Sequence, residues 1–468
     1  MRPNILWIYL EDQDPRYGCY GEQLVKTPNI DALADEGVVF ERAYSPAPVC
    51  SPSRSAVITG SYAIRLGTHV QRSSRFPGEE IYLPEGYKTV PEVFRNAGYF
   101  TFNNGKDDIN FAYDRSDLYS TGNDPREPDG KVNGGVSLQQ GSGDWRDCPP
   151  DKPFFAQIQT NGGKDGYNAQ QARKKLQSLG VEEPKLVSPD EVTVKPQYPD
   201  TKGMRDMEAD QLSTMLVTDV LVGQMVERLK ADGHWGNTII FIVSDHGALF
   251  PRAKQMCYEE GLHVPLIVAA PGMSELQKLI PPRTRREAPV ATLDIGGTAM
   301  ELAGIDIPDD MDTQNLFEGP QREYIYSARD RCEWAVDRTR SVMGDGYHYI
   351  KNFMIDRPLA QHNFRDFWPS VQEIRQMWDR GELTPAQGYP YGPRPVEELY
   401  DLKEDPNELT NLADDPNHKE MLVNMRYLMQ AWIEEVDDKG QYPESKAALA
   451  VTKKQFGKFC TDPLFDDV

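Results

Sequence analysis

Two near-continuous apolar runs constrain the fold of this chain more than any other feature. The first, PNILWIYL, spans residues 3–10, and the second is the apolar part of NTIIFIVSDHG at residues 237–247. Such runs, which lack polar alternation, are typical of strands buried on both faces of a parallel sheet. Helical patterns lie between them, at 27–37 and 206–230. This alternation predicts an α/β sheet covered by helices on both sides.

Further segments extend the predicted sheet. TVPEVFRNAGYFTFNNG has the pattern of a helix, a glycine turn and a strand, and KPFFAQIQT and HVPLIVAAPG are typical of strands. Residues 114–151 are rich in Gly, Asp and Pro, and residues 176–202 have a similar composition. Both stretches are expected to be long loops that wall a substrate site.

The pattern changes after about residue 330. RTRSVMGDGYHYIKN predicts a β-hairpin with a Gly-Asp-Gly turn, and a short strand, capped turns and a helix at 419–436 follow. A chain of 468 residues exceeds one small core. We therefore expect a catalytic α/β domain at 1–335 and a small α+β subdomain with an antiparallel sheet at 336–468.

The charge balance restricts the partners of the protein. With 51 basic and 73 acidic residues the net charge is −22, which repels nucleic acid and anionic membranes. We expect neither as a partner, and no apolar run is long enough to span a bilayer. An anionic substrate requires local positive charge or a metal ion.

The cysteines and the N-terminus give weaker indications. Six cysteines occur without CxxC pairs, so they specify neither a zinc site nor a disulfide framework: Cys19, Cys50, Cys148, Cys257, Cys332 and Cys460. No signal peptide is visible. We expect a periplasmic or secreted protein if a leader was removed, and otherwise a cytoplasmic one.

Polar residues follow the two longest apolar runs. Glu11 and Asp12 come after the first run, and Asp245 and His246 end the second. The carboxyl ends of parallel strands share one edge of a sheet, so these acids would repel unless a cation neutralises them. Hard oxygen ligands favour calcium or magnesium. The alternative is that they cap helices or face solvent.

The stretch APVCSPSRSAVITG places a thiol at a predicted helix start. Ser51 and Ser53 offer capping hydroxyls, Pro52 fits the first turn, and Arg54 lies one turn beyond Cys50. Together they predict an anion pocket with a reactive atom at its floor. Cys50 could instead be a buried small hydrophobe. A cysteine-dependent phosphatase is disfavoured, because it needs a longer loop before its arginine.

CSPSRSAVITG resembles the Cys-x-Pro-x-Arg signature of type I sulfatases in the alkaline phosphatase superfamily. Other segments resemble the family in the same order: PNILWIYLEDQDPRYGCYG, TPNIDALADEGVVFERAYSPAPVCSPSR, GKDD, VSDHGALFPRAKQMCYEEGLHVPLIV and EELYDLKEDPNELTNLA. They cover most of the chain. The resemblance implies an alkaline-phosphatase-like α/β/α sandwich with a large mixed sheet and a small antiparallel subdomain.

In this family a maturation enzyme, either formylglycine-generating or anaerobic sulfatase-maturing, oxidises the signature cysteine to formylglycine. The hydrated aldehyde then attacks sulfur beside a calcium ion, for which magnesium is the alternative. By resemblance the metal ligands are Glu11, Asp12, Cys50, Asp245 and His246. The implied catalytic residues are Cys50, Arg54, Lys106, Asp108, Lys164 and Lys254. The expected substrate-binding residues are Lys106, Lys164, Lys254, His263 and His362.

Four positions depart from the family pattern. Glu11 stands where aspartate is usual, and His246 where asparagine is more frequent. Asp108 replaces the histidine of Gly-Lys-x-His, and Lys164 falls at the histidine after the PFF strand. Asp108 could act as the base, and Lys164 could donate a proton or bind sulfate. Otherwise both are loop ion-pair partners, or the chain has lost a catalytic step.

The resemblance therefore predicts a sulfatase that acts on the O- or N-sulfate of a carbohydrate, near the heparan N-sulfatase branch, with exo action expected. One alternative is a phosphodiester or phosphonate monoester hydrolase of the same superfamily. The other is a non-catalytic glycan-binding homologue in which Cys50 stays a thiol.

Overall fold

The computed structural model describes residues 2–72, 79–121, 140–164 and 168–468. Within these ranges the chain forms thirteen strands and twelve α-helices. The strands are β1 (Asn4–Leu10), β2 (Gly37–Tyr44), β3 (Phe100–Lys106), β4 (Gln140–Ser142), β5 (Phe154–Gln159), β6 (Thr238–Ser244), β7 (His263–Ala269), β8 (Thr284–Arg286), β9 (Val290–Ala291), β10 (Ile325–Arg329), β11 (Thr339–Gly344), β12 (Tyr347–Asn352) and β13 (Glu397–Asp401).

The helices alternate with the strands in the N-terminal two-thirds of the chain. They are α1 (Pro28–Ala34), α2 (Cys50–Thr59), α3 (Val90–Asn96), α4 (Arg115–Leu118), α5 (Ala169–Ser178), α6 (Lys202–Ala231), α7 (Glu259–Leu262), α8 (Ile295–Leu302), α9 (Pro369–Asp379), α10 (Pro385–Gly388), α11 (Lys419–Glu435) and α12 (Lys446–Phe456). None of the described helices combines the length and the apolar character that crossing a bilayer requires.

Nine strands form one mixed sheet. Its order is β4-β3-β5-β1-β6-β7-β2-β8, and β9 pairs with β2. The four strands β3, β5, β1 and β6 are parallel, so their carboxyl ends share one edge. β7 is antiparallel to both β6 and β2. The predicted large mixed sheet is confirmed.

Alternate side chains of β1 enter two separate cores. Trp7 packs on one face of the sheet, in a core that includes Val57 of α2 and Phe94 of α3. Ile8 packs on the other face, with Ile30 of α1 and Leu212 of α6. Because β1 is buried on both faces, it has no polar alternation. The predicted α/β/α sandwich is therefore confirmed.

The C-terminal part contains a four-stranded antiparallel sheet in the order β10-β11-β12-β13. The predicted hairpin joins β11 to β12 through Asp345 and Gly346, whose φ angles of 53° and 82° suit a tight two-residue turn. α11 covers this sheet, and Trp432 stacks on Tyr326 with ring centroids 4.9 Å apart. The domain boundary at residue 335 stays a prediction; β10 precedes it.

The two expected loops have different outcomes. Of the stretch 114–151, residues 122–139 lie outside the described residues, and the remainder contains α4 and β4. The stretch 176–202 begins in the last turn of α5 and continues without a helix or strand until α6 begins at Lys202. It passes over α6, where the backbone N–H of Val187 donates to the Ser213 hydroxyl at 3.3 Å.

A buried ion-pair cluster joins the small sheet to the segment after α11. Arg340 of β11 has no exposed surface, and it donates to Asp438 at 2.8 and 3.0 Å and to Asp330 at 3.0 Å. Asp438 also accepts from Arg338 at 2.8 Å. Burial opposes ionisation of Asp438, but the Arg340 and Arg338 guanidinium groups outweigh it and lower its pKa to about 2.

We predict that Asp438→Asn lowers the free energy of unfolding by ~3 kcal/mol at neutral pH, because it leaves Arg340 buried beside a neutral amide. The folded-state pKa lies below the ordinary value of about 4, so the carboxylate contributes stability above that pH and loses it as pH falls towards 2. The difference between variant and wild type should shrink over that window in urea unfolding curves. Asp437→Asn is the control, since its side chain is 60% exposed. Equal effects of both substitutions would contradict the prediction.

Candidate active site at the carboxyl edge of the large sheet

Four parallel strands deliver the predicted site residues to one edge. Leu10 pairs with Ser244 at the ends of β1 and β6, so the residues that follow these strands must meet. β3 and β5 flank β1 on its other side. The residues carried to the edge are Glu11 and Asp12 from β1, Asp245 and His246 from β6, Lys106 and Asp108 from β3, and Lys164 from the turn after β5.

A compact set of potential ligands lies at this edge. Ligand atoms of Asp12, Cys50, Asp245 and His246 all lie within 4.8 Å of one another, and all four residues are buried. Nε2 of His246 is 3.0 Å from Oδ1 of Asp12 and 3.2 Å from Sγ of Cys50. Glu11 adjoins this set, with Oε1 3.8 Å from the same sulfur. The structure thus brings together the five residues predicted as metal ligands.

The backbone around Asp12 is held in an unusual conformation. Its φ of 55° lies in the left-handed region, which a non-glycine residue adopts at a cost of about 1 kcal/mol or more. The Asp12 N–H donates to Oδ1 of Asp245 at 3.1 Å, and the His246 N–H donates to the same oxygen at 3.2 Å. The Asp245 carboxylate therefore holds the backbone after β1 and the backbone after β6 in place.

The cluster fits a divalent cation. Oδ2 of Asp12 is buried and has no hydrogen-bond partner among the described residues. Nδ1 of His246 is 2.8 Å from the carbonyl of Gly247, so Nε2 is the ring nitrogen that faces Asp12 and Cys50. Burial disfavours the charged imidazole, but Asp245 and Asp12 raise the pKa of His246 to about 10. Carboxylate oxygens and one imidazole are donors suited to a hard cation, whose charge would replace that proton.

Cys50 is the first residue of α2, with its sulfur in the cluster. The predicted capping by Ser51 and Ser53 is wrong. Both residues lie inside the helix after Cys50, so their groups bond to neighbouring segments instead. The Ser51 N–H donates to Oε1 of Gln71 at 3.1 Å, and the Ser53 hydroxyl donates to the carbonyl of Asp245. These bonds fix the start of α2 against the sheet edge.

Arg54 lies one turn beyond Cys50 and directs its guanidinium at the neighbouring carboxylates. Nε donates to Asp245 at 3.1 Å, and Nη2 donates to Glu11 at 2.7 Å. Nη1 donates to the side chain of Gln159 at 2.6 Å. Sequence reasoning missed Gln159, although it ends β5 as a polar residue and so carried the same signal as Glu11.

Three lysines surround the thiol and the carboxylates. Nζ of Lys254 lies 3.2 Å from Sγ of Cys50 and 2.7 Å from Asp12. Lys106 donates to Glu11 at 2.5 Å, and Lys164 also donates to Glu11. Burial disfavours the Cys50 thiolate, but the ammonium groups of these lysines outweigh it and lower the thiol pKa to about 7. The site is therefore built to stabilise negative charge at position 50.

The position of Lys164 depends on the two glycines before it. Gly162 has a φ of 48°, and a Cβ there would lie 2.2 Å from the carbonyl oxygen of Glu11. The Gly163 N–H donates to that same carbonyl at 2.6 Å. Only residues without a side chain let the turn approach β1 this closely.

Two other contacts complete the environment of the lysines. Oδ2 of Asp108 is 2.8 Å from Nζ of Lys106, and Arg72 approaches the same carboxylate at 3.5 Å. The buried Arg365 donates to the backbone carbonyl of Lys254 at 2.8 Å. Sequence reasoning missed Arg72 and Arg365, because each reaches the site only through a distant segment of the chain.

The two predicted substrate-binding histidines lie elsewhere. Nδ1 of His263 is 3.1 Å from Glu259, and its ring faces a separate cavity of about 180 Å³ that Lys195 and Arg252 also line. His362 is 77% exposed and pairs with Asp366 at 2.6 Å. Within the described ranges neither imidazole contacts the Cys50 cluster, and their roles stay predictions.

The family profile and two sequence relatives agree on one family, and a solved structure shares the fold. The sulfatase family profile matches residues 3–305. An ulvan-active sulfatase of Formosa agariphila is 29% identical over an alignment of 492 residues, gaps included, that covers 95% of this chain and 77% of the relative. The N-sulphoglucosamine sulphohydrolase of Homo sapiens is 24% identical over 492 residues, covering 93% and 90%. A solved structure in complex with its substrate D-glucosamine-2-N,6-O-disulfate superposes with a TM-score of 0.63 at 18% identity, covering 94% and 99%.

We predict that calcium chloride raises the melting temperature of the protein, because an ion that binds only the folded state stabilises it by about 2.7 kcal/mol at a hundredfold excess over its Kd. Asp245→Asn should abolish most of this calcium-dependent shift. Asp14→Asn is the matched control: Asp14 is buried two residues after Asp12 but pairs with Arg16 at 2.9 Å. Thermal unfolding with calcium and with chelator measures both. A full shift in Asp245→Asn would contradict the assigned ligand set.

Proposed function

The chain belongs to the sulfatase family, and from that premise we propose that it releases sulfate from a sulfated carbohydrate through residue 50. The family implies a metal ion and a modified cysteine. The observation that carries the proposal is the sulfur of Cys50 at the N-terminus of α2, within 3.2 Å of both His246 and Lys254. The enzyme is thus a sulfuric ester hydrolase whose reacting atom we assign to this position.

We assign the metal to the oxygen and nitrogen atoms at the ends of β1 and β6. Asp12, Asp245 and His246 form its core, and Glu11 lies next to it. The carboxylate-rich set favours Ca²⁺, with Mg²⁺ as the alternative. When bound, the ion would lower the pKa of the attacking hydroxyl and offset the charge of the sulfate oxygens.

The covalent steps start from Cys50 oxidised to formylglycine by a formylglycine-generating or anaerobic sulfatase-maturing enzyme. Addition of water to the aldehyde gives a geminal diol. One hydroxyl gives up its proton and its oxygen bonds to sulfur as the bond between sulfur and the sugar oxygen or nitrogen breaks, and the leaving atom takes up a proton. The second hydroxyl then loses its proton, the carbonyl re-forms as the bond between carbon and the sulfate oxygen breaks, and sulfate departs.

The cations around Cys50 hold the sulfate. Burial favours a neutral Lys164, but Asp12, Cys50 and Glu11 outweigh it and raise the pKa of Lys164 above its ordinary value. A lysine that keeps its proton binds sulfate oxygens rather than acting as an acid. We therefore assign sulfate binding to Lys164, together with Lys254 and Lys106. Asp108, beside Lys106, is the proposed base for the diol proton.

The carbohydrate assignment rests on the relatives. One is described as active on ulvan, another is named for N-sulphoglucosamine, and a solved structure contains a glucosamine disulfate. The first two are both sulfate-releasing enzymes, which favours sulfate over the phosphodiester or phosphonate alternative. The intact Cys50 cluster favours catalysis over passive glycan binding. Whether the scissile sulfate is O- or N-linked is decided by a screen of defined sulfated saccharides.

We predict that Cys50→Ala lowers sulfate release by more than about a thousandfold, because it removes the nucleophile. Cys257→Ala is the control, since Cys257 is also buried but lies in the core beside the small sheet. Mass spectrometry of the wild-type peptide that contains Cys50 should show the lower mass of the aldehyde. Sulfate release by Cys50→Ala at the wild-type rate would end the proposal.

We predict that Lys164→Gln lowers kcat/KM for a sulfated saccharide about a hundredfold, because one cation on the sulfate oxygens is lost. Lys195→Gln is the matched control: the two side chains are 28% and 30% exposed, and Lys195 pairs with Glu260 at the separate cavity. Steady-state sulfate release measures both variants. Similar rates for Lys164→Gln and wild type would assign Lys164 to a structural ion pair.

A further inference from the structure

Arg72 directly follows a residue that hydrogen bonds hold beside the start of α2. The preceding residue, Gln71, accepts a hydrogen bond from the Ser51 N–H at 3.1 Å, directly after Cys50. The Gln71 N–H donates to the carbonyl of Arg331 at 3.1 Å. Arg72 itself has a φ of 60°, in the left-handed region. Backbone conformations of this kind are concentrated at functional sites, and the hydrogen bonds of Gln71 place Arg72 close to Cys50.

The guanidinium of Arg72 is held loosely. Its Nε and Nη2 atoms lie 3.5 Å from the two oxygens of Asp108, and Nη1 lies 4.0 Å from Glu333. A tight guanidinium–carboxylate pair has separations of about 2.8 Å. The Nε atom is also buried without a hydrogen-bond partner among the described residues. Arg72 is therefore placed beside the site with donor capacity to spare.

Exposure separates Arg72 from three of the other cations of the site. The side chains of Arg54, Lys254 and Lys106 are 3%, 6% and 10% exposed, whereas those of Arg72 and Lys164 are 24% and 28% exposed. Lys164 differs from Arg72 in that it pairs with Glu11, next to Cys50. The deep cations touch the carboxylates around Cys50 and suit the scissile sulfate. Arg72 reaches the same network from the solvent side, through Asp108 and Lys106.

The negative net charge of the protein makes a cation at the position of Arg72 useful for binding an anionic substrate. A net charge of −22 repels an anionic carbohydrate unless a local cation compensates. A substrate with a second anionic group beside the scissile sulfate needs such a cation outside the sulfate pocket. A guanidinium is suited to this task, because its planar donors match both carboxylate and sulfate oxygens.

We propose that Arg72 binds a second anionic group of the substrate, a carboxylate or a further sulfate, on the sugar that carries the scissile sulfate or on its neighbour. The inference rests on the proposed sulfatase function and narrows its substrate class to saccharides with at least two negative groups. Binding at this partly exposed position weakens as salt rises.

The test compares saccharides that differ only in the second anion. The probes are a monosulfated disaccharide with a uronate, its carboxyl-reduced form, and a disulfated disaccharide without a uronate. Matured wild type, Arg72→Gln and Arg72→Lys are assayed for sulfate release. Arg65→Gln is the matched control, since Arg65 is 29% exposed and pairs with Asp312 at 2.7 Å away from the site.

Arg72→Gln should lower kcat/KM about tenfold more for the probe that Arg72 recognises than for the carboxyl-reduced probe. Arg72→Lys should recover part of that ratio, and Arg65→Gln should leave it unchanged. Loss on the uronate probe identifies a carboxylate as the second anion, and loss on the disulfated probe identifies a sulfate. An equal loss on all three probes would overturn the inference, because it would mean that Arg72 acts only through Asp108.

A binding measurement keeps this test separate from the proposed function. Calorimetric titration of Cys50→Ala, with and without Arg72→Gln, gives the Kd of each probe without turnover. The same selective tenfold loss is expected. Failure of the wild type to release sulfate would count against the proposed function. Equal Kd values for Cys50→Ala with Arg72 and for Cys50→Ala with Arg72→Gln would overturn the role of Arg72.

Discussion

The structure depends on the neutralisation of buried carboxylates at one edge of the large sheet. Glu11, Asp12 and Asp245 are nearly or fully buried where β1 and β6 end side by side. Unpaired carboxylates at such depth would be strongly destabilising, so the surrounding chain supplies cations. Arg54 bonds to two of these acids from α2, and lysines arrive from three other segments. A divalent ion bound by Asp12, Asp245 and His246 would add further positive charge beside these acids.

The same compensation prepares the site for an anion. A sulfate ester needs positive charge around its oxygens, and the groups that balance the acids are close enough to provide it. A cation held by Asp12 and Asp245 would replace part of the charge that Lys254 now supplies to Asp12, so that Lys254 would be free to bind the sulfate oxygens. The acidic surface of the protein confines this attraction to the pocket. Arg72 extends it outward, which links the electrostatics of the catalytic centre to the choice of substrate.

Much of the fold was predictable from local patterns. The apolar runs of β1 and β6 indicated a buried parallel sheet, and the Gly-Asp-Gly turn indicated the hairpin of β11 and β12. The acids after β1 and β6 were predicted to meet, and they do. The capping role of Ser51 and Ser53 was wrong, because the sequence does not reveal that Cys50 is already the first helical residue. The antiparallel direction of β7 was also hidden, since an apolar run has the same composition in either direction.

The sequence by itself determined the buried strands β1 and β6, the hairpin of β11 and β12 and the acids at strand ends, because these follow from apolar runs and from residues close together in the chain. The resemblance to the sulfatase family indicated Cys50 as the candidate nucleophile. Only the tertiary structure decided which distant groups compensate one another. Arg365 reaches the carbonyl of Lys254, and Arg72 reaches Asp108, across separations that no local pattern encodes. It also placed His263 and His362 away from the Cys50 cluster. Electrostatic partnership acts through space, so it becomes visible only when the chain is folded.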